Sequence, residues 1–183
     1  SAGMPAGRIT DDTEQALLLG EVLVRGDGVI DPLLLAEALL GWQEQMASRG
    51  SLDLLGPSTA ASLQAVREGA DPTTTGRRGT TNGAAMRIAP IGIATAHPAL
   101  DVASRDVAGR DGAGRDGADP GEARFVAAIH HACRVTHDTP VAVAGAAAVA
   151  AVISMSLDGV RWSEAVRRAI RVARHAQPDG TLA

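Results

Sequence analysis

Aromatic residues are nearly absent from this chain of 183 residues: they make up 2% of it, tyrosine is missing, and Phe125 is the single phenylalanine. Sheet cores rely heavily on aromatic side chains, so their scarcity argues against a β-rich fold. Alanine, leucine and valine are abundant instead and suit helices that pack closely. The composition therefore predicts an all-α, compact helical bundle, with residues 1–183 forming a single helical domain or the larger part of one.

Disulfides and excess positive charge are lacking as well. Cys133 is the one cysteine, and its apolar neighbours predict a buried thiol in a reducing compartment. Seventeen basic and 21 acidic residues give a net charge of −4, which offers no electrostatic footprint for nucleic acid or an anionic membrane. The opening SAGMPAGRITDD lacks the basic and apolar regions of a signal peptide. We therefore expect a cytoplasmic protein with neither nucleic acid nor a membrane as its partner.

One apolar run is long enough to be compared with a membrane span, PVAVAGAAAVAAVISMSL at 140–157. Alanine and glycine account for eight of its 18 residues, and both are only weakly hydrophobic. We interpret it as a core helix that is buried on all sides.

The spacing of apolar residues and the positions of proline and glycine predict helices separated by two polar segments. GADPTTTGRRGTTNG, at 69–83, has no apolar period and is predicted to be a long functional loop. AGRDGAGRDGADPG, at 108–121, repeats GRDGA and is predicted to be a flexible low-complexity loop. The predicted helices, none of which needs a strand as a partner, span about 11–25, 32–48, 56–68, 84–95, 121–135, 139–157 and 162–175. Pro90 is expected to distort or end the regular part of the fourth.

Two adjacent carboxylates stand where the first helix begins, in GRITDDTEQALLLGEVL at 7–23. Thr10 is a good N-cap residue, and acidic residues in a first turn are favoured by the helix dipole, so capping alone would account for Asp11 and Asp12. Alternatively, two carboxylates and a hydroxyl are hard oxygen donors that suit Mg²⁺ or another octahedral cation. Taken by itself, this segment leaves both interpretations open.

Two later segments are ambiguous in the same way. GRRGTTNGAAMR, at 76–87, is either an ordinary turn into a helix or a phosphate site, because residues 79–83 would present backbone N–H groups beside a helix N-terminus. In VTHDTP, at 135–140, the polar residues could cap the next helix and His137 could be a core histidine. His130 and His131 precede it without the spacing of a zinc site.

Together, TDDTEQALLL, GTTNGAAMRIAPIGI and VTHDTPVAVAGAAAVAAVI resemble, in order and separation, the motifs of the ADP-ribosylglycohydrolase family, from Gly7 to about Asp158. The resemblance implies a compact orthogonal helical bundle that hydrolyses the glycosidic bond between ADP-ribose and an acceptor such as an arginine side chain. It implies a pair of divalent ions, usually Mg²⁺ or Mn²⁺, and an ADP-ribosylated protein or small ADP-ribose conjugate as the partner. The implied site residues are Thr10, Asp11 and Asp12 for the metal, the two aspartates also for catalysis, and Gly79, Thr80, Thr81, Asn82, Gly83, Met86 and His137 for ADP-ribose.

The chain also departs from the family pattern. The family completes its metal site with a D-x-D-S/T cluster from a later helix, and no Asp-x-Asp occurs in these 183 residues. The family's opening helix, with an acidic residue near the metals, is reduced to AGMPAG at 2–7. Two explanations are open: the chain is a fragment of a longer protein that carries the missing cluster, or it is an inactive relative that binds ADP-ribose or has a structural role.

Overall fold

The structure is a computed structural model that describes residues 7, 9–50, 55–95 and 120–177; helices fill these ranges, and no strand occurs within them. This confirms the all-α prediction. In chain order the elements are α1 (Asp11–Arg25), α2 (Pro32–Ser48), α3 (Pro57–Arg67), a 3₁₀ turn (Thr75–Arg78), α4 (Gly83–Arg87), α5 (Ala89–Ala94), α6 (Pro120–Cys133), α7 (Pro140–Leu157) and α8 (Trp162–His175).

Proline sets the start of several helices, as the sequence predicts. Four of them begin directly at a proline, whose missing N–H costs nothing in a first turn and whose fixed φ suits a helix. The clearest case is α2, in which the carboxylate of Asp31 accepts a hydrogen bond from the Leu33 amide at 2.8 Å. In the predicted low-complexity loop, residues 108–119 lie outside the described part of the chain, and Pro120 and Gly121 already belong to α6.

The helix predicted over about 84–95 is interrupted near Pro90, as the sequence predicts. Its residues form two short helices, α4 and α5, with a break at Ile88. Pro90 lies in the first turn of α5 and has no N–H to donate to the carbonyl of Met86, so a continuous helix would lose a hydrogen bond there. The break lets each short helix take its own direction against α1 and α7, both of which contact them.

The core is organised around α7, which contacts α4, α5, α6 and α8. By length and composition, α7 is the one helix in the described ranges that could cross a membrane, and half of it is buried against the rest of the protein. Its buried face is mostly alanine, which permits close approach of the neighbouring helices. The larger Val141, Val149 and Leu157 are exposed, so the prediction that this helix is buried on all sides is wrong.

Candidate metal and ADP-ribose site

The first turn of α1 holds the predicted metal ligands. Thr10 occupies the N-cap position, with extended backbone angles, and its carbonyl accepts the Glu14 amide at 3.1 Å. Its side chain makes no capping bond, so the capping interpretation is right for the backbone and wrong for the hydroxyl. The Thr10 hydroxyl instead donates to Oδ2 of Asp12 at 3.0 Å. Three oxygen-bearing side chains therefore gather at one helix start, and hydroxyl capping does not explain them.

The two adjacent carboxylates are poorly compensated. Partial burial and the neighbouring charge of Asp12 raise the pKa of Asp11 above its ordinary value, and its backbone hydrogen bonds offset this only in part. No arginine or histidine of the described ranges forms an ion pair with either aspartate. A bound cation would relieve the repulsion between them, and two carboxylates with a hydroxyl are the donors that Mg²⁺ and Mn²⁺ prefer.

The third acid of this turn, Glu14, has a different task. Its carboxylate accepts the indole N–H of Trp42 at 2.8 Å and both terminal nitrogens of Arg49, at 3.0 and 2.9 Å. This forked arginine contact is geometrically specific and fixes α1 against α2. In the first turn, Glu14 is therefore a structural residue, whereas the charges of Asp11 and Asp12 are available to a ligand.

The glycine and threonine loop at 79–83 lies tightly against residues 134–138. The Thr139 hydroxyl donates to the Gly79 carbonyl at 2.6 Å, and a side chain at Gly79 would collide with the Thr136 carbonyl. At Gly83, an added Cβ would lie 2.5 Å from Cε1 of His137. The glycines thus permit close packing of the two segments, and the Gly79 amide itself donates to the Gly76 carbonyl at 2.9 Å.

The ring of His137 is fully buried and connects this loop to the start of α7. Its Nε2 lies 2.9 Å from the Thr81 hydroxyl, and its Nδ1 lies 2.8 Å from the Thr136 hydroxyl. Burial, with the nearby charge of Arg87, lowers the pKa of His137 to about 4. The ring is therefore neutral at physiological pH.

Arg87 and Gln15 are polar residues of this cluster that the sequence interpretation missed. Both are fully buried, and Nη1 of Arg87 donates to Oε1 of Gln15 at 2.9 Å. Nη2 of Arg87 donates to the Thr136 hydroxyl at 2.6 Å and to the Ala132 carbonyl at 3.2 Å. The signal in the sequence was an arginine inside the apolar run AAMRIAPIGI. On α4 it lies four residues after Gly83 and therefore on the same buried face.

The structure therefore brings some of the predicted residues together and leaves others apart. Thr81, Gly83 and His137 are in contact, whereas Thr80 and Asn82 are exposed and Met86 is half-buried. Asp11 reaches the cluster indirectly, since Gln15 lies one turn further on the same face of α1 and binds Arg87.

A cavity of about 420 Å³ lies beside the same loop, between α3 and the 3₁₀ turn. Gly79 and the two exposed arginines Arg77 and Arg78 line one part of it, and small residues such as Ala61 and Ala65 line another. Asp11, Asp12 and His137 are not among its lining residues. The cavity gives the loop a cationic, open side.

Comparison with known proteins decides the family. The model of the ADP-ribosylglycohydrolase family matches residues 2–181, nearly the whole chain. The chain belongs to the ADP-ribosylglycohydrolase family. This membership supports a glycohydrolase type of function, and such proteins are generally metal-dependent.

Two relatives of this ADP-ribosylglycohydrolase chain show how much of a longer protein it matches. The uncharacterized protein YegU of Escherichia coli (strain K12) is 35% identical over 168 residues, which are 92% of this chain and 43% of YegU. An uncharacterized protein of Archaeoglobus fulgidus is 32% identical over 152 residues, 83% of this chain and 41% of that protein. The chain spans less than half the length of these curated relatives.

Proposed function

We propose that this chain contributes to a metal-dependent hydrolase that removes ADP-ribose from a modified protein side chain, such as arginine, or from a related ADP-ribose conjugate. One observation supports this most directly. The adjacent carboxylates Asp11 and Asp12, which form no ion pair within the described ranges, lie on a helix that is joined through Gln15 and Arg87 to the His137 cluster. Family membership supports the reaction class. The oxygen atoms gathered at the start of α1 support a cation at that end, and the loop at 79–83 supports a phosphate group at the other.

Thr10, Asp11 and Asp12 would hold Mg²⁺ or Mn²⁺, and the aspartates would take part in catalysis as its ligands. A bound divalent ion of this kind supplies Lewis acidity towards water and the ribose hydroxyls. Because the 183 residues contain no Asp-x-Asp, we propose that a pair of ions is completed by ligands elsewhere in the whole protein.

The loop residues would hold the diphosphate. The backbone N–H groups of Thr80 to Gly83 and the Thr81 hydroxyl would be donors for phosphate oxygens, and Met86 would give the loop an apolar support. The Gly79 N–H is already used, since it donates to the Gly76 carbonyl at 2.9 Å. Holding these remote phosphates positions the ribose C1 for reaction. In the reaction itself the bond from C1 to the acceptor nitrogen breaks, a water oxygen bonds to C1, and the water proton goes to the leaving nitrogen.

Isosteric amide variants of the two aspartates test the metal site. In the complete protein, Asp11→Asn and Asp12→Asn are expected to weaken Mn²⁺ binding by about 10-fold or more and to abolish release of ADP-ribose from ADP-ribosylarginine. Calorimetry measures the first quantity and chromatography the second. Glu21→Gln is the matched control, because Glu21 is an exposed carboxylate further along the same helix. Unchanged metal binding in both aspartate variants would contradict the proposal.

An inactive ADP-ribose-binding or structural homologue is the alternative, favoured by the absence of an Asp-x-Asp cluster. Titration of the complete protein with ADP-ribose in the presence of Mg²⁺ separates the possibilities. Binding with turnover supports the hydrolase, and binding without turnover supports the inactive binder. Absence of binding leaves a structural role for the fold.

A further inference from the structure

The guanidinium of Arg87 is a buried cation without a carboxylate partner among the described residues. Its hydrogen-bond acceptors are all neutral: the Gln15 amide oxygen, the Thr136 hydroxyl and the Ala132 carbonyl. Its Nε has no partner in the described ranges, and neither has the amide nitrogen of Gln15. Burying a charge in this way is costly, and an apolar side chain would fill the same space without that cost. The arginine therefore calls for an explanation other than stability.

The donors and acceptors around Arg87 set a direction for the neighbouring hydrogen bonds. A guanidinium only donates, so the Thr136 oxygen must accept from Nη2. The acceptor within reach of the Thr136 hydroxyl hydrogen is then Nδ1 of His137, at 2.8 Å. The neutral ring consequently carries its proton on Nε2, which donates to the Thr81 oxygen at 2.9 Å. Thr81 keeps its own hydroxyl hydrogen, for which the described residues offer no acceptor.

We propose that Arg87 is a positioning residue that holds His137 as the Nε2–H tautomer and thereby makes the Thr81 hydroxyl a hydrogen-bond donor to an oxygen of the ligand's phosphate groups. The inference rests on the proposed function for the identity of that ligand. Thr81 is half-buried, so its hydroxyl lies at the boundary between the cluster and solvent. When every hydrogen bond runs from Arg87 through Thr136 and His137 to Thr81, the Thr81 hydroxyl has its hydrogen free to donate to an anion. In the opposite direction the Thr81 oxygen would present only lone pairs.

The opposite direction is disfavoured by the same donor and acceptor count. If Thr81 donated to Nε2, the neutral ring would carry its proton on Nδ1 and donate to Thr136. The Thr136 oxygen would then accept from both Arg87 and His137, and its hydroxyl hydrogen would be left buried without an acceptor. Replacing Arg87 by methionine removes the donor that fixes the Thr136 oxygen as an acceptor, so the Thr136 hydroxyl is free to rotate and the ring no longer has one imposed direction.

The tautomer of His137 can be measured directly by nitrogen NMR of protein labelled with ¹⁵N-histidine. We expect the wild-type ring to be wholly Nε2–H and Arg87→Met to show a mixture of both tautomers. Arg87→Lys, which retains a charged donor, is expected to restore Nε2–H at least in part. An Nδ1–H ring in the wild-type protein would overturn the proposal without any variant having to fold, and so would an unchanged tautomer in Arg87→Met.

Ligand titration tests the second half of the proposal. Thr81→Val is expected to weaken ADP-ribose binding by about 10-fold or more, the loss that follows from removing one donor to a charged oxygen. Thr73→Val is the matched control, because Thr73 bonds only to Asp71 outside this cluster. Equal affinity in the Thr81 and Thr73 variants would overturn the role of Thr81.

The two hypotheses fail in different ways. A wild-type protein with Nε2–H His137 that does not bind ADP-ribose would refute the proposed function and support the hydrogen-bond direction from Arg87 to Thr81. A protein that binds ADP-ribose while His137 carries its proton on Nδ1 would refute only the proposed hydrogen-bond direction.

Discussion

Three ionisable residues meet in the buried centre of the site, and burial shifts the pKa of each. It lowers the pKa of Arg87 to about 10 and that of His137 to about 4, and it raises the pKa of Cys133 to about 12. At neutral pH the cluster therefore contains one cation, a neutral imidazole and a neutral thiol. A neutral His137 is what allows its ring to accept at one nitrogen and donate at the other.

The depressed pKa of His137 predicts a loss of stability in mild acid. Between pH 6.5 and about 4, His137 binds a proton in the unfolded chain but stays neutral in the folded chain. The part of the unfolding free energy that depends on the neutral ring is therefore complete above pH 6.5 and is lost as the pH falls towards 4. This shift in pKa changes the free energy of unfolding by on the order of 3 kcal/mol. Urea unfolding at pH 7, 5.5 and 4 should show a steeper loss of unfolding free energy for wild type than for His137→Gln. Parallel pH profiles for the two proteins would contradict this account.

At the scale of the element, glycine determines how closely the loop at 79–83 approaches residues 134–138. The loop is anchored by the bond from Thr139 to the Gly79 carbonyl and continues from a 3₁₀ turn whose Gly76 amide donates to the Arg134 carbonyl at 3.1 Å. The backbone itself forms the contact surface, so a methyl group has no space there. The shape of this loop depends on packing between segments about 60 residues apart in sequence.

Alanine at Gly79 is expected to destabilise the protein by about 2 kcal/mol or more, because its Cβ would overlap the Thr136 carbonyl and neither backbone can yield easily. Gly145→Ala in α7 is the matched control, since a Cβ there meets nothing within 4 Å. In the middle of a helix that change should stabilise by about 0.5–1 kcal/mol. Thermal unfolding compares both variants with wild type; equal shifts in the two would contradict the close-packing role of Gly79.

The sequence predicted most helices because the features that start a helix and set its buried face lie within the helix's own residues. Proline starts α2, α3, α6 and α7, and the apolar period places Leu19 and Val22 on the buried face of α1. The same logic predicts an irregularity at Pro90, and the structure has a break between α4 and α5 just before it. Local reasoning assigned Thr10 a capping hydroxyl that accepts from a backbone amide, whereas this hydroxyl donates to the Asp12 carboxylate and makes no capping bond.

The candidate site was less accessible to sequence reasoning. Asp11, Asp12, the loop at 79–83 and His137 were found through motifs, whereas Gln15 and Arg87, which join them, carry no motif. Their importance comes from tertiary contacts: Arg87 lies 72 residues from Gln15 and 49 from Thr136. A buried arginine with neutral partners can be recognised only once the helices around it are in place.

At the scale of the whole molecule, α7 is the element against which most of the others pack. Its alanine-rich face lies closest to α5 at Gly92, where an added Cβ would be 2.6 Å from the Ala150 carbonyl. Small residues on both sides bring these backbones together, and the bundle gains its contacts from close approach in place of large side chains. The same composition gives α7 the length and hydropathy of a membrane span.

Ala150→Leu separates a core helix from a membrane helix by the sign of its effect. Ala150 is fully buried, so in the bundle the larger side chain must displace its neighbours and is expected to cost about 1–3 kcal/mol. In a lipid environment the same change would favour insertion, because leucine is the more hydrophobic residue. Val149→Leu is the control, as Val149 is 38% exposed at the adjacent position and should tolerate the change. The measurements are thermal unfolding in buffer without detergent and, in parallel, flotation with liposomes. A lower melting temperature for Ala150→Leu alone supports the core assignment. Greater stability of that variant, or its association with liposomes, would contradict it.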